Sequence, residues 1–264
     1  MQLVLSLFSG AGLLDKAFKE KGFCVVSAGD IILNHDIREF TGVKNRFDGI
    51  IGGSPCQDFS KANRNRTVLD LTYGLEMIEE FKRIVKECNP TWWLLENVAT
   101  VPDVKIDGYT YQRIDINQAW YSNTNRLRHI QFGSKNEAYL HFERKSVTDR
   151  EIKSCAMASD DRTFKELLAL QDLPLDLDYP DFTVKGKKKL VGNGVPLSIG
   201  RVLANSVFDV TVPGNNLECD SAAVKRCKCD CKRIVSHRGE YYDYSCRKRH
   251  SIKNKKFVET LDSL

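Results

Sequence analysis

The chain of 264 residues contains no uninterrupted apolar run approaching the roughly 18 residues that a membrane-spanning helix needs, so no spanning segment is expected. Its apolar opening, "MQLVLSLF", lacks a basic leader and a convincing cleavage site and runs directly into "SGAG", which reads as a strand rather than a secretory signal. A disulfide framework is not expected either. The nine cysteines lie in a chain that is neither short nor marked for secretion, which excludes the small stapled folds of secreted proteins. An intracellular protein follows as the expectation.

What is present divides into two parts. A hydrophobic share of 42% is ordinary for a packed globular core. The length suits one α/β domain of about 200 residues with a small appendage. Cys24, Cys56, Cys88 and Cys155 are scattered through the first two thirds, whereas Cys219, Cys227, Cys229, Cys231 and Cys246 crowd the end. Charge divides the same way: residues 221–257 hold twelve Lys/Arg and three Asp/Glu, a balance of +9 in a chain whose total is +5, leaving −4 elsewhere. A basic segment of this kind is the electrostatic footprint of a polyanionic partner.

The first half reads as alternating strands and helices. "LVLSLF" (3–8) is a strand that ends in a small-residue turn, and "LLDKAFKEKGF" repeats Leu13, Leu14, Ala17 and Phe18 at helical spacing. "FCVVSAGD" is a second strand ending on Asp30, where a carboxylate can accept ribose hydroxyls while the turn at Gly10 and Gly12 lets a nucleoside approach the backbone. "GAG" lacks the third glycine of a dinucleotide fold, and S-adenosylmethionine fits as well. Asp36 in "NHDIREF" stands where an acid can accept from an adenine amino group. A third strand, Phe47 to Ile51, leads into "GGSPCQDFSKANRNR". "YGLEMIEEFKRIVKECNP" reads as a helix with Leu75, Ile78, Phe81, Ile84 and Val85 inward, stopped by Pro90. "TWWLLENV" is a further apolar strand that delivers Glu96 and Asn97. Ligand sites of open α/β sheets lie outside the carboxyl ends of the strands, so the turn, Asp30, Cys56 and Glu96 are expected at one edge. A thiol beside a carboxylic acid suits addition to an electron-poor ring. The thiolate adds, the acid protonates the ring nitrogen, and the activated carbon attacks an electrophile such as a sulfonium methyl group.

The succession "LFSGAG", "GGSPCQDFS", "LLENV", "TNRLRHIQFG", "RTFKELLALQDLP" and "GNGVPLSIGRVLANSV" resembles the ordered motifs of DNA cytosine-5 methyltransferases over roughly residues 3–208. The resemblance implies a doubly wound mixed sheet of the Rossmann-like S-adenosylmethionine-dependent kind, with residues 1–210 as the catalytic domain. It implies that Phe8, Gly10, Gly12, Asp30, Asp36, Asn193 and Val195 bind S-adenosylmethionine. Cys56 matches the nucleophile that adds to C6 of a flipped cytosine, and Glu96 the acid at N3 and the exocyclic amine. Arg126 and Arg128 match the family's arginine pair, one contacting the base oxygen and the other positioning phosphate or neighbouring groups. Double-stranded DNA is the implied partner, a cognate restriction endonuclease a further candidate, with no membrane and a monomer favoured. The implied compartment is the cytoplasm of a bacterial or phage-infected cell.

Three departures from the pattern matter. Only a turn fits between Asp30 and Asp36. Thr124 replaces the glutamine before the arginines, and Ser54 the first of two prolines. The recognition segment, about residues 134–160, is too short to offer several base-reading side chains on its own.

The C-terminal residues are a candidate replacement. After a linker (211–224), residues 225–257 carry Cys227, Cys229, Cys231, Cys246 and His250, five candidates for the four places of one tetrahedral structural zinc. The stretch resembles the short zinc ribbons attached to prokaryotic DNA-acting proteins. Tyr241, Tyr242 and Tyr244 can cover a metal knuckle or stack on bases, and Arg247, Lys248 and Arg249 can contact phosphates. Two rival readings remain: an RNA cytosine-5 methyltransferase, and a catalytically inactive DNA-binding relative.

Overall fold

A computed structural model of the chain describes residues 1–56, 58–59, 70–144 and 151–212, together with two short strands at 234–237 and 240–243. Its centre is a six-stranded sheet in the order β2-β1-β3-β4-β7-β5. The strands are β1 (Leu3–Leu7), β2 (Cys24–Ala28), β3 (Gly49–Gly53), β4 (Trp92–Asn97), β5 (Gln112–Asn117) and β7 (Leu127–Ser134). β2, β1, β3 and β4 run parallel, and β7 is antiparallel to both β4 and β5, which makes the sheet mixed.

The near-continuous apolar runs of β1, β3 and β4 reflect burial on both faces. On one face, Val4, Ile51 and Leu94 pack with Leu14 and Phe18 of α1 (Leu13–Lys21) and with Ile199, Leu203 and Val207 of α5 (Leu197–Thr211). On the other face, Leu5, Leu7, Ile50 and Leu95 meet Met77, Ile78, Phe81, Ile84 and Val85 of α2 (Asp70–Cys88). The expected inward set of α2 needs one correction: Leu75 is 45% exposed and Met77 takes the buried place. The stripe is otherwise as expected, and Leu75 falls off its edge because Met77, Ile78, Phe81, Ile84 and Val85 define the face turned to the sheet.

The remaining helices close the carboxyl end of the sheet on one side. α3 (Phe164–Leu170) starts in a capping box, in which the Thr163 hydroxyl accepts from the Glu166 amide while the Glu166 carboxylate accepts from the Thr163 amide. With α4 (Val184–Asn193) it packs Leu167, Leu168, Leu170 and Val191 against Leu13 and Ala17 of α1. Two two-residue strands, β6 (Thr124–Asn125) and β8 (Lys153–Ser154), pair beside them.

No helix among the described residues is long and apolar enough to cross a membrane. Near the C-terminus, β9 (Ile234–His237) and β10 (Glu240–Asp243) pair antiparallel. The metal candidates Cys227, Cys229, Cys231, Cys246 and His250 lie outside the described residues, as do the linker beyond residue 212 and most of the 225–257 segment.

Candidate active site

The chain reverses its direction of travel across the sheet between β1 and β3, and a cleft of about 440 Å³ opens at the carboxyl ends of these strands. Such a switch point is where open α/β sheets bind ligands, and the size suits a nucleoside-sized molecule.

The first wall is the turn after β1. Phe8, Gly10 and Gly12 all adopt positive φ (54°, 54° and 67°). A side chain at either glycine would meet no other atom within 4 Å, so the two glycines are required by backbone conformation and not by crowding. Asp30 holds the turn in place. Its Oδ2 accepts from the Gly10 amide at 2.6 Å, and its Oδ1 accepts from the Ile32 amide at 2.8 Å, capping a single 3-10 turn at Ile31–Leu33. This turn stands where a helix would usually separate Asp30 from Asp36, as the spacing predicted. Asp36 also lines the cleft. Its carboxylate is engaged by the Arg38 amide and guanidinium, which hold its pKa down to about 2. Any adenine contact would share a carboxylate that Arg38 already occupies.

The second wall follows β3 and β4. Ser54, Pro55 and Cys56 extend from β3, and Glu96 lies at the end of β4. Both ends of the thiol-bearing turn are fixed. Asn97 donates through Nδ2 to the Ser54 carbonyl (3.1 Å) and hydroxyl (2.8 Å), and the Thr100 hydroxyl donates to the Phe59 carbonyl. Glu96 is 7% exposed, and its Oε1 sits 2.8 Å from Nε of Arg128. Burial raises the Glu96 pKa above the usual carboxylate range while Arg128 and then Arg126 oppose the rise, a direction that favours the protonated carboxyl. Burial also raises the Cys56 thiol, the Glu96 charge adds to the rise, and the two arginines oppose it.

A prediction about thiol reactivity follows. Cys56 is the neutral thiol below its raised pKa, so its alkylation by iodoacetamide should accelerate as pH climbs through and beyond the ordinary thiol range. Glu96→Gln removes the second cause of the rise and frees Arg128 to oppose it. At a fixed pH of about 8.5 the variant should therefore be alkylated at Cys56 several-fold faster, measured by peptide mass mapping. An equal or slower rate would show that Glu96 does not hold the proton on the thiol.

Of the other expected site residues, Arg128, Asn193 and Val195 line the cleft. Arg126 does not, and it is placed behind the wall. Its guanidinium donates to the carbonyls of Ala156, Gly192 (2.7 Å) and Gly194 (3.1 Å), so it ties residues 151–160 to the turn that carries Asn193. Burial and the neighbouring Arg128 push its pKa down. Arg128, on β7, places its side chain at the cleft, whereas Arg126, just before that strand, places its side chain between segments.

Part of the described 134–160 segment packs into the body of the fold. Leu140, Phe142 and Ala156 are buried, and the Gln112 side-chain amide pairs with both the amide and the carbonyl of Leu140.

Several lining residues carried no sequence signal of their own. Asp15 is 3% exposed and accepts from the Ser6 (2.5 Å) and Ser27 (2.7 Å) hydroxyls, joining β1, β2 and α1 behind the turn. Ile31, Tyr73, Phe182 and Lys189 complete the walls. Lys189 was detectable in principle, since it precedes Asn193 by four residues and so shares its helix face. Among the described residues there is no cluster of three or more metal-ligating side chains.

Comparison with known proteins agrees with this geometry. Residues 3–114 match the family described as C-5 cytosine-specific DNA methylase. Type II methyltransferase M.FnuDI of Fusobacterium nucleatum is 37% identical over 111 residues, covering 36% of this chain and 32% of that protein. Type II methyltransferase M.NgoPII of Neisseria gonorrhoeae is 32% identical over 114 residues, covering 36% and 33%. The match thus spans about a third of the length of these relatives. Among solved structures, the Entamoeba histolytica methyltransferase EhMeth superposes with a TM-score of 0.58 at 10% identity, covering 79% of this chain and 98% of that one, a likeness of fold.

Proposed function

We propose, from the match of residues 3–114 to the C-5 cytosine-specific DNA methylase family, that the protein transfers a methyl group from S-adenosylmethionine to C5 of cytosine in double-stranded DNA. The observation that carries the reading is the convergence of Cys56 and Glu96, from the ends of the adjacent strands β3 and β4, on the cleft that also holds the glycine turn and Asp30.

The residues present fit S-adenosylmethionine. An open turn at Gly10 and Gly12 lets an adenosine approach the backbone, Asp30 has lone pairs left for ribose hydroxyls, and Asn193 and Val195 face the turn across the cleft. When bound, the cofactor supplies an electrophilic methyl group on a sulfonium centre. Cys56 loses its proton as its sulfur bonds to C6 of a cytosine swung out of the duplex, and Glu96 gives a proton to N3, which takes up the ring's charge. Arg128, fixed by Glu96, is placed to donate to the base oxygen. Once C5 carries the methyl group, loss of its hydrogen to solvent with cleavage of the C6–S bond releases the Cys56 thiolate, which regains a proton from solvent, and return of the N3 proton to Glu96 leaves the neutral aromatic ring.

In this reading residues 1–210 form the catalytic domain, with a recognition segment at about 134–160 that is too short to read a site alone. Residues 225–257 then serve as a basic zinc module, with four of Cys227, Cys229, Cys231, Cys246 and His250 on the metal and phosphates held by its lysines and arginines. The Type II designation of the relatives supports a restriction endonuclease as a partner in the cell.

The deciding experiment is incubation of the purified protein with tritiated S-adenosylmethionine and mixed-sequence duplex DNA, then bisulfite sequencing. Protected cytosines in a shared short context are expected, together with about one zinc per chain that Cys246→Ala removes. Label on structured RNA but not on DNA would favour the RNA reading. A protein that binds DNA without transferring label or trapping 5-fluorocytosine would be the inactive relative.

A further inference from the structure

Four carboxylates line the cleft, and each already has its partners: Asp15 accepts from Ser6 and Ser27, Asp30 from the Gly10 and Ile32 amides, Asp36 from Arg38, and Glu96 from Arg128. Among the described residues, two cationic side chains line it, Arg128 and Lys189. Arg128 is committed to Glu96 at 2.8 Å, whereas Lys189 makes no ion pair or hydrogen bond with any described residue. Its position on α4 is also informative. Gly186, Lys189, Leu190 and Asn193 all line the cleft, and their spacing of three, four and seven residues places them on one helical face. The ammonium therefore stands one turn before Asn193 on the same wall.

S-adenosylmethionine is a zwitterion at its amino-acid end. Its sulfonium and ammonium charges suit a cleft lined by four acids, but its α-carboxylate does not, and it needs a cation that the acids have not already taken. We propose that Lys189 is that cation, a cofactor-binding residue that pairs with the α-carboxylate of S-adenosylmethionine and so fixes which end of the cleft the amino-acid portion occupies. This assignment rests on the cofactor reading above and adds a specificity-determining contact to it. Lys187, two residues earlier, is ion-paired to Asp178, and neither Lys185 nor Lys188 lines the cleft, so the assignment falls on one of the four lysines of the "KGKKK" run.

Two probes that differ in the amino-acid portion separate this contact from general damage. Isothermal titration with S-adenosylhomocysteine, which has the carboxylate, and with 5′-methylthioadenosine, which lacks the whole amino-acid portion, should be carried out on the full chain and on Lys189→Met, Lys189→Arg and Lys185→Met. A charge-assisted contact predicts about tenfold or greater weakening of S-adenosylhomocysteine by Lys189→Met. Methylthioadenosine affinity should be unchanged, and Lys189→Arg should retain most of the binding. Lys185→Met removes the same charge from the same helix outside the cleft and should change neither ligand. Equal loss for both ligands, or no loss for either, overturns the assignment while leaving the cofactor reading intact. A wild-type chain that binds neither ligand overturns the cofactor reading and this assignment with it.

Discussion

Replacing Cys56 with serine is expected to lower methyl transfer to DNA by about a thousandfold or more, while S-adenosylhomocysteine binds as before. The hydroxyl is isosteric, but it is a far weaker nucleophile than a thiolate at the same pH. Nothing in this cleft supplies the strong base that a serine would need, since Glu96 is tied to Arg128 and its raised pKa favours the protonated form. Affinity for the cofactor should survive because its expected contacts lie on the turn at Gly10 and Gly12, on Asp30 and on α4, while the Cys56 turn is held from outside by Asn97 and Thr100. The readouts are tritium transfer and the loss of a denaturant-stable adduct with 5-fluorocytosine DNA. Transfer at near wild-type rate would mean that the thiol is not the nucleophile and would remove the covalent mechanism.

The second large effect is expected on stability. Arg126→Ala removes the donor shared by the carbonyls of Ala156, Gly192 and Gly194 in a place only 5% exposed. The Gly194 carbonyl keeps the Gln171 side-chain amide as a donor at 3.3 Å, so two carbonyls, those of Ala156 and Gly192, lose theirs, at about 1–3 kcal/mol each. Part of that loss is offset, because burial of the guanidinium is itself unfavourable, as the downward push on its pKa indicates. A net destabilisation of about 2–4 kcal/mol is the expected sum. It should appear as a lower urea midpoint with an unchanged slope. The contacts it breaks are tight ones. A side chain at Gly192 would lie 2.4 Å from the Met157 carbonyl oxygen, so these segments touch backbone to backbone and cannot readily close over the gap. Arg126→Lys should recover only part of the loss, because one ammonium cannot span three carbonyls as a planar guanidinium does. An unchanged midpoint in Arg126→Ala would show that the clamp contributes nothing. Weaker cofactor binding should accompany the destabilisation, since Asn193 lies between the two carbonyls of its own turn that Arg126 holds.

These two residues show how unevenly the site was legible. Cys56 and Glu96 could be assigned to one edge from sequence because each closes an apolar strand, and parallel strands necessarily present their carboxyl ends together. The turn between Asp30 and Asp36 was legible from chain length alone, since six residues leave no room for a helix and a connection. Arg126 and Arg128 were legible as a pair with two roles, one at the base and one positioning neighbouring groups, but not as to which arginine takes which place. Arg126 is 5% and Arg128 9% exposed, yet only Arg128 reaches the cleft, and that difference depends on the α4–α5 turn, which arrives from more than sixty residues away. Leu75 misled for a related reason. Its apolar character suggests the helical stripe, but the buried face is set by Met77, Ile78, Phe81, Ile84 and Val85, and that face leaves Leu75 at its edge.

The sequence by itself determined the strand–turn–helix order, the reactive pair Cys56 and Glu96, the glycine turn with Asp30, and the division between a nearly neutral body and a basic, cysteine-rich end. These are properties of local spacing and composition, which act wherever the chain goes. Only the tertiary structure decided that β7 runs antiparallel between β4 and β5, that Leu140, Phe142 and Ala156 are buried, that Arg126 clamps carbonyls, and that Lys189 alone among the described lysines lines the cleft. Each depends on which distant segment meets which. That is fixed by the joint burial of surfaces far apart in the chain and leaves no period in the sequence to read.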